Sequence, residues 1–220
     1  MFIAEAEWLH QRLARLAPVE ISPLANIGSS TKHFREVDQP WNEAVLFAPL
    51  KARGAKIIHV DAREGDGIDL RADIMEDDGL NRIKALAPKC VLLCNILEHV
   101  ADPAQLAARC EEIAGSGGLV FVTVPYSYPY HRDPIDTMFR PAPEELAKLF
   151  KNSKMIESEI VDVRESYADM VGKKPWLLLR PIFRFPFPFI SFAKWKRSMK
   201  KLYWLTHNYK VTAAVFRVKG

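Results

Sequence analysis

The chain has 220 residues, 49% of them apolar and 26% charged, with 10 glycines against 15 prolines. That composition excludes collagen-like and low-complexity chains, and at roughly 150 residues per domain the length suits one soluble globular domain with an elaboration. The net charge of +4 conceals a polarity: residues 170–220 hold 12 Lys/Arg and no acid, which leaves 19 basic against 27 acidic residues before them, so a body of −8 carries a tail of +12.

Phe2, Ala6, Leu9, Leu13 and Leu16 recur at helical spacing, so the first segment reads as an amphipathic helix ending before Pro18. Glu5 and Glu7 stand where a signal peptide carries a basic start and an apolar run, so export by that route is not expected. A short apolar run then ends at Asn26-Ile27-Gly28, a helical stretch covers about Trp41 to Arg53, KIIHVD ends a strand at Asp61, and IDL forms another at 68–70. A polar helix is predicted from about Asn81 to Ala87, a buried strand over 91–95, a helix over 102–114 and a second buried strand over 118–125, closed by Pro125. Beyond a loop at 126–142, Pro143 opens a helix running to Phe150, MIESEIVDV alternates like a strand, and 211–218 is the last strand. Cys90, Cys94 and Cys110 are odd in number and lack zinc spacing, so no disulfide framework and no metal is expected, and reducing cytosol is the expected compartment.

Strands alternating with helices, with near-continuous apolar runs in the central strands, predict an α/β fold whose mostly parallel sheet is covered on both faces. Ligands in such sheets sit at the carboxyl ends of the strands, where the strand order reverses. Gly28 follows the first strand, where a chain turning past a bound molecule needs a residue without a Cβ. Asp61 closes the second, where a carboxylate can accept both hydroxyls of a ribose. Asp73 follows the third and is placed to accept from an adenine amino group; Asn95 and Glu98 follow the fourth. Each acid taken singly also reads as a helix cap or a solvated charge. A nicotinamide fold fits worse: there is no Gly-x-Gly-x-x-Gly, no phosphate loop, and no lysine four residues after Tyr126, Tyr128 or Tyr130.

In this order the segments resemble the class I S-adenosylmethionine-dependent methyltransferases over about residues 20–165. The resemblance is most specific in NILEHVADPAQL, where Leu-Glu-His-Val precedes an aspartate-capped helix, and in VPYSYPYHRDPIDTMFRPAPEELAKLF, with its His-x-Asp-Pro-x-Asp loop, arginine and Pro-Glu-Glu-Leu helix. It implies a Rossmann-like core over 1–169 with the N-terminal helix, a basic aromatic insertion or lid over 170–208, and a final core strand over 209–220. It further implies S-adenosylmethionine as cofactor, held by Asn26, Gly28, Ser30, Asp61, Asp73 and Asn95. The glycine motif departs from the family pattern: Asn26 stands in the usual acidic place, and Ser30 and Lys32 replace later glycines. Under the resemblance, the Ser30 hydroxyl and the Lys32 charge serve a methionine carboxylate.

In the loop, His131 is the candidate base for a hydroxyl acceptor, since an unperturbed imidazole titrates near ~6.5. Asp133 or Asp136 would orient it, and Arg140 would clamp an anionic acceptor. The structural alternative makes Asp136 and Arg140 an internal ion pair that pins the loop. Tyr126 and Tyr130 are read as acceptor-pocket wall or as core, and His99 as a capping or packing residue. In the tail, Phe192, Trp195, Met199, Leu202 and Tyr203 share one helical face while lysines and Arg197 fill the rest. That pattern reads as a membrane-surface binder through 180–205, as a lid, or as a helix packed on the acidic body. The expected function is methylation of a small molecule or saccharide, lipid-linked or phosphorylated, at the inner membrane face; the alternative is a non-catalytic binding or scaffold protein with a degenerate methyltransferase fold. Nucleic acid is not expected as a partner, because the acidic cleft would repel phosphates.

Overall fold

The structure, a computed structural model, describes residues 1–131 and 135–220, with the backbone alone at 180 and 197. Helix α1 (Ile3–Leu13) buries Ala6, Trp8, Leu9 and Leu13, and α2 (Pro18–Ile21) is one turn beginning on its proline. Strand β1 spans Leu24–Ile27. The helical stretch predicted around Trp41 is built from two π-helical segments, Phe34–Asp38 and Asn42–Phe47, the second running into α3 (Ala48–Ala52). Then come β2 (Ile57–Asp61) and a two-residue β3 (Leu70–Arg71). Helix α4 (Asp77–Lys84) begins four residues before the predicted start, because Asp77 and Asp78 occupy the first turn, where the helix dipole favours acids.

Strand β4 (Cys90–Cys94) is followed by one 3₁₀ turn at Leu97–His99 and by α5 (Pro103–Ala114), whose N-cap Asp102 accepts from the Gln105 amide at 2.9 Å. Strand β5 (Leu119–Ser127) runs on through Pro125, which was expected to close it. Past Thr123 the β4 ladder has ended and only the antiparallel partner continues, with an irregularity between Pro125 and Ser127, so the missing amide is tolerated. Helix α6 (Pro143–Ala147) stops short of Phe150, and β6 spans Ser153–Asp162. Helices α7 (Tyr167–Lys173), α8 (Leu179–Arg184) and α9 (Phe192–Leu202) precede β7 (Lys210–Val218).

The seven strands form one sheet in the order β3-β2-β1-β4-β5-β7-β6, parallel from β3 to β5, with β7 antiparallel to both β5 and β6. This is the expected Rossmann-like α/β class. The order reverses at β1, whose neighbours are β2 and β4, so a crevice opens beyond the carboxyl ends of these strands. Alternate side chains feed two cores: Val91 and Leu93 pack with Leu80, Leu106 and Ile113 under α4 and α5, while Cys90 and Leu92 pack with Leu9, Leu46 and Leu50 under α1 and α3. Burial on both faces is what the continuous apolar runs require. Arg12 clips α1 to the sheet edge through ion pairs to Glu157 (2.8 Å) and Glu159 (3.0 Å).

The segment between β6 and β7 packs on the core at its two ends, through Val171, Leu177 and Leu178 and through Trp204 and Leu205. α8 and α9 contact each other, and Arg184 donates to Ser198 Oγ at 2.8 Å. Exposed apolar groups gather on α8, at the turn between the helices and at the start of α9, with Phe183 70%, Phe189 78% and Phe192 64% exposed, while Trp195, Met199 and Leu202 of α9 are partly buried. Among the described residues, no helix is long and apolar enough to cross a membrane.

His59 on β2 is buried; its Nδ1 lies 3.1 Å from Asn26 Nδ2, a contact in which the ring nitrogen accepts, and Phe47 meets the ring edge-on. Burial, reinforced by the Arg35 charge, brings its pKa down to about 4. The unfolded chain binds this proton near pH ~6.5 while the fold keeps the ring neutral, so the contribution is complete above that pH and is lost as pH falls toward 4. The loss amounts to about 3 kcal/mol. Urea unfolding at pH 7 and pH 4.5 should give a steeper fall in stability for wild type than for His59→Asn; equal falls would contradict the buried neutral imidazole.

Candidate functional site

The chain leaves β1 through a left-handed bend. Gly28 has φ +66°, and a Cβ there would lie 2.3 Å from Ile96 Cδ1, so the left-handed backbone calls for glycine and any Cβ would have to displace the end of the Ile96 side chain. Ser30 is also left-handed at φ +55° and is held by its amide, which donates to Asp61 Oδ2 at 2.9 Å. From beneath, the buried Arg35 donates to the carbonyls of Ser29 at 3.1 Å, Ser30, and Gly67 at 2.7 Å. Burial lowers the Arg35 pKa from its ordinary value, opposed by Glu43 and Asp69. Sequence reasoning passed over this residue, because a lone arginine in a polar helical stretch reads as solvated.

Asp61 Oδ1 accepts from the Arg63 amide at 3.0 Å and from Arg63 Nε at 3.5 Å, so Oδ2, with the Ser30 amide alone, is the oxygen that keeps a further lone pair. Asp73 Oδ1 accepts from the Met75 amide at 2.8 Å. Its backbone is pressed so closely against α4 that a Cβ on Gly79 would lie 2.0 Å from the Asp73 carbonyl oxygen. Between these groups opens a cavity of about 940 Å³, within the size range of small-molecule sites. Gly28, Ser30, Asp61, Asp73, Asn95 and His131 all line it.

Four other expected site residues stand elsewhere, and a fifth lies outside the described residues. Asn26 does not line the cavity; its side chain turns to His59. Asp136, its side chain wholly buried, accepts from the amides of His131 (2.9 Å) and Met138 (2.8 Å) and from Arg140 Nη2 (2.8 Å). Burial would raise the Asp136 pKa, but the Arg140 bond and the two amides hold it below the ordinary value. Arg140 spends its other terminal nitrogen on the Phe139 carbonyl at 3.0 Å, so it stands as a partner of Asp136 and is not among the residues lining the cavity. Lys32 is exposed and likewise does not line it. Asp133 lies outside the described residues.

Asn95 is held by a residue farther away in sequence that does not itself line the cavity. Glu5, fully buried on the apolar face of α1, accepts from the Phe2 amide (3.0 Å), from Asn95 Nδ2 (2.8 Å) and from the Thr123 hydroxyl, tying the N-terminal helix to the ends of β4 and β5. Its spacing from Phe2, Ala6 and Leu9 was the available signal. Tyr128, and neither Tyr126 nor Tyr130, stands in the wall, edge-on to His131 at 5.2 Å.

Beside it the 3₁₀ turn brings in Glu98, 0% exposed, with neither carboxylate oxygen hydrogen-bonded. Burial pushes its carboxyl up to about 7, against the pull of His99 and Arg140. His99 Nε2 lies 3.6 Å from Glu98 Oε1, and the His99 and His131 rings meet edge-on at 5.1 Å. The loop docks on this turn through Thr137, whose amide (2.9 Å) and hydroxyl (3.0 Å) both donate to the Glu98 carbonyl, and through a contact of His99 Nδ1 with the Ile135 carbonyl. Burial lowers the His131 pKa although Asp136 opposes it, so the ring is neutral at neutral pH.

No family model and no curated protein matches the chain. Among solved structures, coclaurine N-methyltransferase bound to N-methylheliamine and SAH is 13% identical, covering 98% of this chain and 72% of that one with a TM-score of 0.56. The [4+2]-cyclase SpnF is 14% identical (97% and 81% covered, TM-score 0.53). A SAM-dependent methyltransferase from Archaeoglobus fulgidus is 16% identical (96% and 94% covered, TM-score 0.50). The fold is therefore that of class I methyltransferases, and the cyclase among these neighbours illustrates that fold alone does not set the reaction.

The Asp136 carboxylate fastens the loop with three hydrogen bonds, and removing it strands a buried guanidinium. Asp136→Ala is expected to lower unfolding stability by roughly 3–5 kcal/mol. A denaturation series yielding under about 1 kcal/mol would reduce the pair to a surface contact.

Proposed function

We propose that the protein is an S-adenosylmethionine-dependent methyltransferase whose acceptor is a small molecule or saccharide, lipid-linked or phosphorylated, met at a membrane surface. The observation that carries this reading is the cavity spanned by the Gly28 bend, Asp61 and Asp73. These residues fit the cofactor. Asp61 Oδ2, which accepts the Ser30 amide, keeps a lone pair for a ribose hydroxyl, and Asp73 Oδ2 has no hydrogen-bond partner among the described residues and suits an adenine amino group. The Ser30 hydroxyl, at the bend, suits the methionine carboxylate.

The cofactor supplies an electrophilic methyl group on a sulfonium, so the chain's work is to hold an acceptor in line and to remove its proton. His131, neutral at pH 7 and in the cavity wall, takes that proton from a hydroxyl acceptor. Asp136, whose Oδ2 is 3.3 Å from His131 Nδ1, orients the ring. Tyr128 shields it from water on one side.

The membrane part of the reading rests on the segment before β7. Phe183, Phe185, Phe189, Ile190 and Phe192 are all more than 60% exposed, on a stretch that carries lysines and arginines without an acid. Exposed aromatics among cations suit an anionic lipid surface better than solvent.

Calorimetric titration with S-adenosylmethionine should show binding to wild type and at least tenfold weaker binding to Asp61→Ala, a loss of ~1.4 kcal/mol. No heat and no thermal shift at millimolar cofactor would overturn the enzyme reading in favour of the non-catalytic alternative. For the tail, the chain should sediment with phosphatidylglycerol-containing vesicles and not with pure phosphatidylcholine. A Phe183→Ser, Phe185→Ser, Phe189→Ser variant should stay in the supernatant; unchanged sedimentation would remove the segment as a lipid contact.

A further inference from the structure

Among the described residues, the wholly buried Glu98 keeps both carboxylate oxygens without a hydrogen-bond donor. A buried carboxylate without a partner is costly, and native structures rarely leave one so. One ligand atom each from Glu98, His99 and His131 lie within 4.8 Å of one another, in the wall of the cavity. From this geometry we infer that Glu98, His99 and His131 bind a divalent transition-metal ion.

The three groups form a two-histidine, one-carboxylate set, which suits zinc, manganese or ferrous iron and leaves coordination positions open. His99 is arranged as a ligand: its Nδ1 faces the Ile135 carbonyl, which sets the tautomer and turns Nε2 toward Glu98. For His131 the carboxylate of Asp136, 3.3 Å from Nδ1, plays the supporting part. A tetrahedral ion with ligands at ~2.1 Å needs them roughly 3.4 Å apart, so the set must close by about 1 Å, within reach of small rotations of two partly exposed rings. Of the charges around the cluster, Arg140 is paired with Asp136 at 2.8 Å and Glu5 adds a negative charge on the Glu98 side. Spacing alone does not announce this set, because Glu98 and His99 are adjacent and His131 follows 32 residues later, unlike the usual zinc spacings.

The open positions face the cavity, so the ion would hold an oxygen of the acceptor and acidify its hydroxyl in place of His131. That role, though not the binding itself, rests on the methyltransferase reading.

The test is titration of chelator-stripped full-length protein with Mn²⁺ and with Zn²⁺, followed by calorimetry and by Mn²⁺ electron paramagnetic resonance. One equivalent should bind, at least tenfold more weakly in Glu98→Gln and in His131→Ala, and unchanged in a variant of the exposed His33. Thermal melts of the stripped proteins keep the result readable: Glu98→Gln should melt no lower than wild type without metal and lose the upward shift that metal gives wild type. No binding of either ion at millimolar concentration, or binding that both variants retain, would overturn the site and leave Glu98 as a buried neutral acid. Because these readouts need no S-adenosylmethionine, a metal site without cofactor binding, or the converse, separates this inference from the proposed function.

Discussion

The crevice depends on one hydrogen bond, from the Ser30 amide to the Asp61 carboxylate, which holds the end of β1 in register with the end of β2. Two left-handed residues in close succession, Gly28 and Ser30, are an unfavourable backbone state for any chain that does not restrain them. Asp61 restrains them from above and Arg35 from below, the latter through three carbonyls. The bend therefore stays clear of the space between β1, β2 and β4, and Asp61 Oδ2 presents its remaining lone pair to that space. The same carboxylate thus builds the cavity and offers it a recognition group.

Much of the fold was legible because it rests on short-range patterns. The central strands announced themselves as unbroken apolar runs, a consequence of burial on both faces, and α5 by its aspartate cap and leading proline. The misplaced end of β5 has a tertiary cause, a partner that overrides the local signal. Pro125 continues a strand because β7 still pairs there after β4 has ended. The tail's amphipathic pattern identified a helix, yet pattern alone could not say which surface its apolar face meets.

The site was legible in part. Positions at strand ends are set by topology, so Gly28, Asp61, Asp73 and Asn95 could be picked from a one-dimensional reading. Groups that arrive from distant segments could not: Glu5 reaches Asn95 from the first helix, and the Glu98, His99 and His131 cluster forms only because Thr137 and Ile135 dock the loop on the 3₁₀ turn. Arg140 follows the internal ion-pair alternative read from the sequence. Its charge near a strand end suggested substrate contact, but the nearest buried carboxylate, Asp136, claims it.

The central claim is that the space between the Gly28 bend and the two acids is a nucleoside pocket. A co-crystal structure with S-adenosylhomocysteine tests it most directly. The account predicts ribose hydroxyls within hydrogen-bonding distance of the Asp61 carboxylate, the adenine amino group at Asp73, and the Ser30–Asp61 bond intact. A ligand lodged elsewhere, or crystals grown at saturating ligand with this cavity empty, would contradict it.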